Sequence, residues 1–207
     1  MTITDETLAW QIARPEDLWV LDKLLLSRRL GYVSGPVGID VPRPVHYIVR
    51  PCVNALGMGL ETSKVFIIDN TDHLPVGNFW CEVFRGRHLS VDFNYGKQVL
   101  CCEGYRDSDE PYWRWSRWQR TNDVVQLPDF IQDIADRYEW FNVESIGSNI
   151  IEVHFRANPD FWIPGLENIQ EVIPIWHDEE IKPREGYMVV DDLDFKTMKL
   201  RKALLVR

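Results

Sequence analysis

Nowhere in this chain do about 18 apolar residues run together, and the N-terminus MTITDETLAWQIARPEDLW has neither the basic start nor the apolar run of a signal peptide. The expectation is a soluble cytoplasmic protein with no membrane partner. Positive charge is also in deficit. A formal net charge of −9 argues against a general binder of phosphate backbones, so nucleic acid is not the expected partner. Cysteine is sparse, with four residues at 52, 81, 101 and 102 and no CxxC spacing, which points to buried thiols rather than zinc ligands or a disulfide framework. Cys101 and Cys102, being adjacent, should face opposite sides of a strand. No Ser/His/Asp or Cys/His arrangement is recognisable, so no protein nucleophile is expected. Low-complexity tracts, internal repeats and linkers are missing too. The chain, 45% hydrophobic, therefore reads as one α+β unit over residues 1–207.

What is present is a run of helix and strand signals. Arg14-Pro15-Glu16-Asp17 followed by LWVLDKLLLSRRLG has proline and acids at its start, bases at its end and Gly31 as a stop, which predicts one helix. His46–Arg50 and Val65–Asp69 read as strands separated by a glycine-bearing loop. Phe79–Phe84, His88–Phe93 and Gln98–Cys102, joined by tight turns, predict an antiparallel meander. Leu127–Tyr138 carries Phe130, Ile131, Ile134 and Tyr138 at helical spacing.

The most informative stretch is Tyr138–Trp162. Alternation puts Phe141, Val143, Ile151, Val153 and Phe155 on one face and Asn142, Glu144, Glu152, His154 and Arg156 on the other. A turn centred near Ser148 would set Glu144 opposite Glu152 and Asn142 opposite His154. Like charges directly opposed in a sheet are unfavourable unless neutralised, so the pair implies a bound cation or a shared proton; the other reading is a solvated sheet face. Among cations, magnesium suits one or two carboxylates plus a substrate phosphate.

In this order the elements resemble the ATP-grasp fold, the two-lobed nucleotide-binding core of many carboxylate–amine ligases. Asp22-Lys23 and the interval to Gly38–Pro42 are similar to that family's opening segment. Tyr47–Pro51 resembles the strand that brings a basic residue, here Arg50, to the nucleotide phosphates, and Asn54–Gly59, with Gly57 and Gly59, resembles the loop that closes over them. Glu82-Val83-Phe84 resembles the hinge holding adenine and ribose, and Leu89–Asp92 the strand after it. Glu152-Val153-His154-Phe155-Arg156 is similar to the closing Glu-x-Asn-x-Arg pattern, with His154 at the asparagine place and Glu144 as the upstream acid. The resemblance implies two small lobes with an antiparallel sheet and a nucleotide cleft, a lobe boundary near 75–85 and a C-terminal extension over 163–207; as a departure from it, little precedes the first helix, so the extra N-terminal domain of many such ligases is expected to be absent.

It further implies ATP and Mg2+ as cofactors, with Lys23, Arg50, Gly57, Gly59, Glu82, Phe84 and Asp92 on the nucleotide, Glu144, Glu152 and His154 on the metal, and Arg50 and Arg156 acting on the transferring phosphate. The activity implied is Mg-ATP-dependent activation of a carboxylate as an acyl phosphate, then attack by an amine. Read without the resemblance, Lys23 is a charged helix-surface residue, Arg50 a solvated sheet end, and Glu82 half of a buried ion pair. The second reading of the whole chain is a non-catalytic protein that keeps the fold and binds a macromolecular partner or a second copy of itself; a third is a metal-dependent hydrolase or nuclease built on the acidic hairpin. Pro111–Arg120, PYWRWSRWQR, is either a stacking and phosphate-contacting surface or a lobe interface. The basic end of the chain reads as a solvated helix or docking surface.

Overall fold

The computed structural model describes residues 4–53, 59–192 and 200–207. It is α+β, as expected, with twelve strands among the described residues, in two antiparallel sheets, and short helices. Gly57 and most of the Asn54–Gly59 loop lie outside the described residues.

The N-terminal third departs from the single helix expected. Pro15–Leu21 is a 3-10 helix, and α2 (Lys23–Arg29) starts afresh at Asp22, whose carboxylate accepts from the N–H groups of Leu24 and Leu25 at 2.9 and 3.0 Å. An N-cap inside an apolar run ends one helix and begins another, because side-chain acceptors satisfy N–H groups that would otherwise continue the ladder. Lys23 is thereby the first residue of α2; its N–H donates to the Cys52 carbonyl at 2.8 Å and the residue is 2% exposed. This corrects its reading as a helix-surface charge. Ahead of it, α1 (Glu6–Ile12), capped by Asp5, was not anticipated. The helix expected at Leu127–Tyr138 is α3 (Asp129–Ala135), burying Ile131 and Ile134 but leaving Phe130 39% exposed.

The four-stranded sheet runs β1 (Ser34–Pro36), β4 (Asn78–Glu82), β2 (Val45–Pro51), β3 (Ser63–Ile67). The eight-stranded sheet runs β11 (Met188–Asp191), β12 (Arg201–Val206), β10 (Glu171–Trp176), β7 (Arg117–Arg120), β6 (Lys97–Tyr105), β5 (His88–Asn94), β8 (Phe141–Ile146), β9 (Asn149–His154). The predicted meander is therefore broken. Phe79–Phe84 and His88–Phe93 do not pair: β4 is held by β1 and β2, and residues 83–87 cross from one sheet to the other. That crossing needs glycine. Gly86 has φ +130°, and a Cβ there would stand 2.8 Å from Gly147 in the β8–β9 turn.

The β8–β9 register is the one expected, Glu144 opposite Glu152 and Asn142 opposite His154, but the route to it is different. A two-residue turn pairs Ile146 with Asn149 and Ser145 with Ile150, which alone would bring Glu144 opposite Ile151. A bulge between Glu144 and Ser145 leaves Ile151 as the extra residue and resets the ladder. Ile150, not Ile151, joins Val143, Val153 and Phe155 in the core.

That core packs one face of β5, β8 and β9 against α1, α3 and the 3-10 helix. Cys101 belongs to it, whereas Cys102 belongs to a second core on the opposite face with Leu100, Trp118, Phe161 and Val172, the alternation predicted for two adjacent strand residues. Of the basic end, only residues 200–207 are described, and these are not a solvated helix: β12 is a mostly buried strand between β10 and β11, and Arg201 is enclosed by Asp160 and Asp192.

Candidate functional site

Between the two sheets lies a cleft of about 710 Å3. One wall is β2 and β4, the other is β5, β6, β8 and β9, and residues 82–88 close one end. Of the residues predicted for the site, Lys23, Arg50, Gly59, Glu82, Phe84, Glu144, Glu152, His154 and Arg156 all line it. Asp92 does not. It follows His88 and Ser90 on the same face of β5, about 13 Å along the strand from His88 at ~3.3 Å per residue. There a loop covers it: Trp162 Nε1, Asn142 Nδ2 and the Asn158 N–H all donate to its fully buried carboxylate. Burial pushes the Asp92 carboxyl up while these donors oppose the shift. A contact to nucleotide is replaced by a structural role in holding the loop.

The floor of the cleft is a chain of charges from four elements. Arg50, 6% exposed, lies over the Phe79 ring (5.2 Å to its centroid) and donates through Nη2 to the carbonyl of Ile151 at 2.9 Å. The bond ties one sheet to the other, and its acceptor belongs to the extra residue of the bulge. Arg50 Nε has no hydrogen-bond partner among the described residues. Lys23 Nζ stands 3.6 Å from Glu152 Oε1, and His154 Nε2 stands 3.3 Å from the same oxygen. The other His154 nitrogen faces Glu6 of α1 at 3.2 Å, and Glu6 also accepts from Arg156 Nε. Glu144 is held by His88 Nε2 at 3.0 Å. Glu82 accepts from the Val33 N–H at 2.9 Å, so it caps a chain segment instead of entering a buried ion pair.

Burial and Arg156 pull the His154 pKa down, but Glu6 and Glu152 outweigh them and raise it to about 9. The ring is an imidazolium at neutral pH. Burial also pulls Lys23 down against Glu152, and Glu152, despite its own burial, is held well below the usual carboxylate range by Lys23 and His154. His154 binds its proton more tightly folded (about 9) than in an unfolded chain (6.5), so its contribution is complete below about pH 6.5 and is lost as pH rises through about 9. Thermal unfolding followed from pH 6.5 to 9.5 should show the wild type losing on the order of 5 °C more than His154→Gln, which subtracts the titration of Lys23 and other neighbours. Parallel slopes for the two proteins would contradict the assignment.

These contacts correct the metal set. His154 uses both ring nitrogens on carboxylates, and an imidazolium has no lone pair for a metal. Among the described residues, no group of three or more His, Cys, Asp or Glu side chains is placed to hold a metal ion. Glu144 and Glu152 are neighbours, as expected, yet Lys23 and His154 engage Glu152 and the His88 ring engages Glu144. The donor set does not fit a divalent cation as arranged.

The Trp/Arg segment divides between two environments. Trp115 and Tyr112 line the cleft, Trp115 packing edge-on to His88 at 4.5 Å, while Trp113 packs on Trp176 and Arg114 is held by Glu110, Asp178 and Glu179. Two site features escaped sequence reading. Glu6 sits in a segment with no strand or glycine signal, and the burial of Lys23 depends on the Asp22 cap. A signal for the second was present, since Asp followed by an apolar run is an N-cap pattern.

No family model matches the sequence, and no curated protein does. Solved structures do. An L-amino acid ligase from Bacillus licheniformis aligns over 92% of this chain and 66% of its own, with 10% identity and a TM-score of 0.48. An ATP-grasp superfamily protein from Archaeoglobus fulgidus aligns over 68% and 47%, with 18% identity and a TM-score of 0.42. A D-alanine–D-alanine ligase from Bacillus anthracis, solved with ATP, aligns over 66% and 55%, with 14% identity and a TM-score of 0.39. The chain spans about half the length of the first ATP-grasp structures it matches. The activities named are those proteins' own. No helix among the described residues is long and apolar enough to cross a membrane.

Proposed function

We propose that the cleft binds ATP, its phosphates on Lys23, Arg50 and Arg156 and its base toward Glu82 and Phe84, and that the chain is an ATP-dependent ligase joining a carboxylate to an amine. The observation that supports this most is the convergence of three cations from α2, β2 and the end of β9 on one cleft between two antiparallel sheets. Buried cations with fixed geometry recognise phosphate oxygens strongly. Catalysis would rest on positioning and on neutralising charge at the transferring phosphate, with Arg50 and Arg156 in that role. The carboxylate and the amine would enter along the Tyr112–Trp115 wall.

A second reading, nucleotide binding without turnover, is favoured by one observation: Glu152 is already engaged by Lys23 and His154, and Glu144 by the His88 ring. Calorimetric titration with a non-hydrolysable ATP analogue tests the shared part, and ADP release over a panel of carboxylates and amines separates the two. Analogue binding with ADP release supports the ligase, binding without release supports the second reading, and no binding removes both. Glu152→Gln would leave Lys23 and His154 under-compensated in a buried site, so it should weaken the fold by about 2–4 kcal/mol as well as any turnover, measured by denaturant unfolding.

A further inference from the structure

The opposed carboxylates of Glu144 and Glu152 are what a divalent ion would bridge, and the contacts around them leave that position to protein groups. On Glu152, Lys23 Nζ and His154 Nε2 converge on the same oxygen, at 3.6 and 3.3 Å. On Glu144, His88 Nε2 stands 3.0 Å away. None of these cationic or ring groups is a loose surface side chain. Lys23 is anchored at the start of α2 with its side chain 3% exposed, and the His154 side chain, also 3% exposed, is held from its far side by Glu6 of α1. An ion entering between the carboxylates would meet the Lys23 ammonium within a few ångströms and would have to break contacts supplied by two helices and a strand. Repulsion between a divalent ion and a buried ammonium is not screened by solvent, so the two are alternative occupants.

We propose that the cleft takes a nucleoside triphosphate without a divalent cation bridging it to Glu144 and Glu152, the Lys23 ammonium and the His154 ring standing in the ion's place. This rests on the nucleotide-binding reading above. Phosphate oxygens then meet Lys23, Arg50 and Arg156 directly, and any magnesium that enters does so on the nucleotide's own phosphates, without contact to Glu144 or Glu152.

The test is calorimetric titration of the full chain with a non-hydrolysable ATP analogue, once in EDTA and once in excess magnesium. Dissociation constants within about threefold of each other are expected, less than ~1 kcal/mol. Binding at least tenfold tighter with magnesium would overturn the inference while leaving the nucleotide site standing; binding in neither condition would remove the site and the inference together. Mn2+ titration watched by electron paramagnetic resonance, without nucleotide, gives an independent readout. The wild type should leave Mn2+ free. Immobilised Mn2+ that is released in Glu144→Gln would overturn the proposal. His154→Asn, checked for folding by circular dichroism, should acquire a magnesium preference of about tenfold in analogue binding; an unchanged ratio in a folded variant would count against the stand-in role of the ring.

Discussion

Replacing Arg201 with alanine should destabilise the protein by about 3–5 kcal/mol, the range for removing one partner of a buried ion network. Arg201 is 5% exposed; its two Nη atoms hold both oxygens of Asp160 at 2.8 and 2.7 Å, and Nε holds Asp192. Alanine leaves two buried carboxylates without the guanidinium that made their burial tolerable. For a chain of this size that corresponds to a fall in melting temperature of roughly 10 °C, measurable by calorimetry. Arg201→Met with Asp160→Leu and Asp192→Leu should recover part of the loss, since replacing buried ionic partners together by apolar groups is cheaper than removing one of them. If the single variant melts like the wild type, the enclosed network is not there in solution.

The second large effect concerns the ligand. Arg50→Ala should weaken binding of an ATP analogue by about 100-fold, equivalent to ~2.7 kcal/mol and in keeping with loss of charge-assisted hydrogen bonds in a closed site. Arg50→Lys should recover only part of it, because an ammonium on a flexible stem cannot keep the Ile151 carbonyl and a phosphate oxygen engaged in the same geometry as a planar fork. Calorimetric titration of the three proteins decides it. Equal affinities across the set would place the phosphates elsewhere.

How far the sequence foretold this molecule depends on the range of the interaction. The β8–β9 hairpin was legible because strand alternation and opposing residues are local, and the pairing of Glu144 with Glu152 follows from arithmetic along the chain. Its bulge was not legible: Ile150 and Ile151 are chemically alike, so the pattern cannot say which of them faces the core. Residues 79–93 looked like a hairpin because strand–turn–strand is the same local signal whether the strands pair or part, and only the neighbours β1, β2 and β8 decide. Glu6 and the burial of Lys23 were missed for the same reason, since a charge on a helix is read as exposed until a partner from another element is known. Asp92 failed differently. It lies on the predicted face, but a face extends the whole length of a strand, and periodicity does not tell where a cleft gives way to a covering loop.

The extra residue in β9 bears on how this chain would tolerate changes in length. Deleting Ile151 would let Ile150 and Glu152 follow one another in a regular ladder, opposite Ser145 and Glu144 as now, so the hairpin itself would be unharmed. Lost would be the Ile151 carbonyl that Arg50 grips, and with it a strut between the walls of the cleft. Inserting a residue there would do the reverse, turning the acidic side of β9 inward. Single-residue length variation at this point thus separates two properties that substitutions mix, the integrity of the strand pair and the spacing of the walls it helps to set.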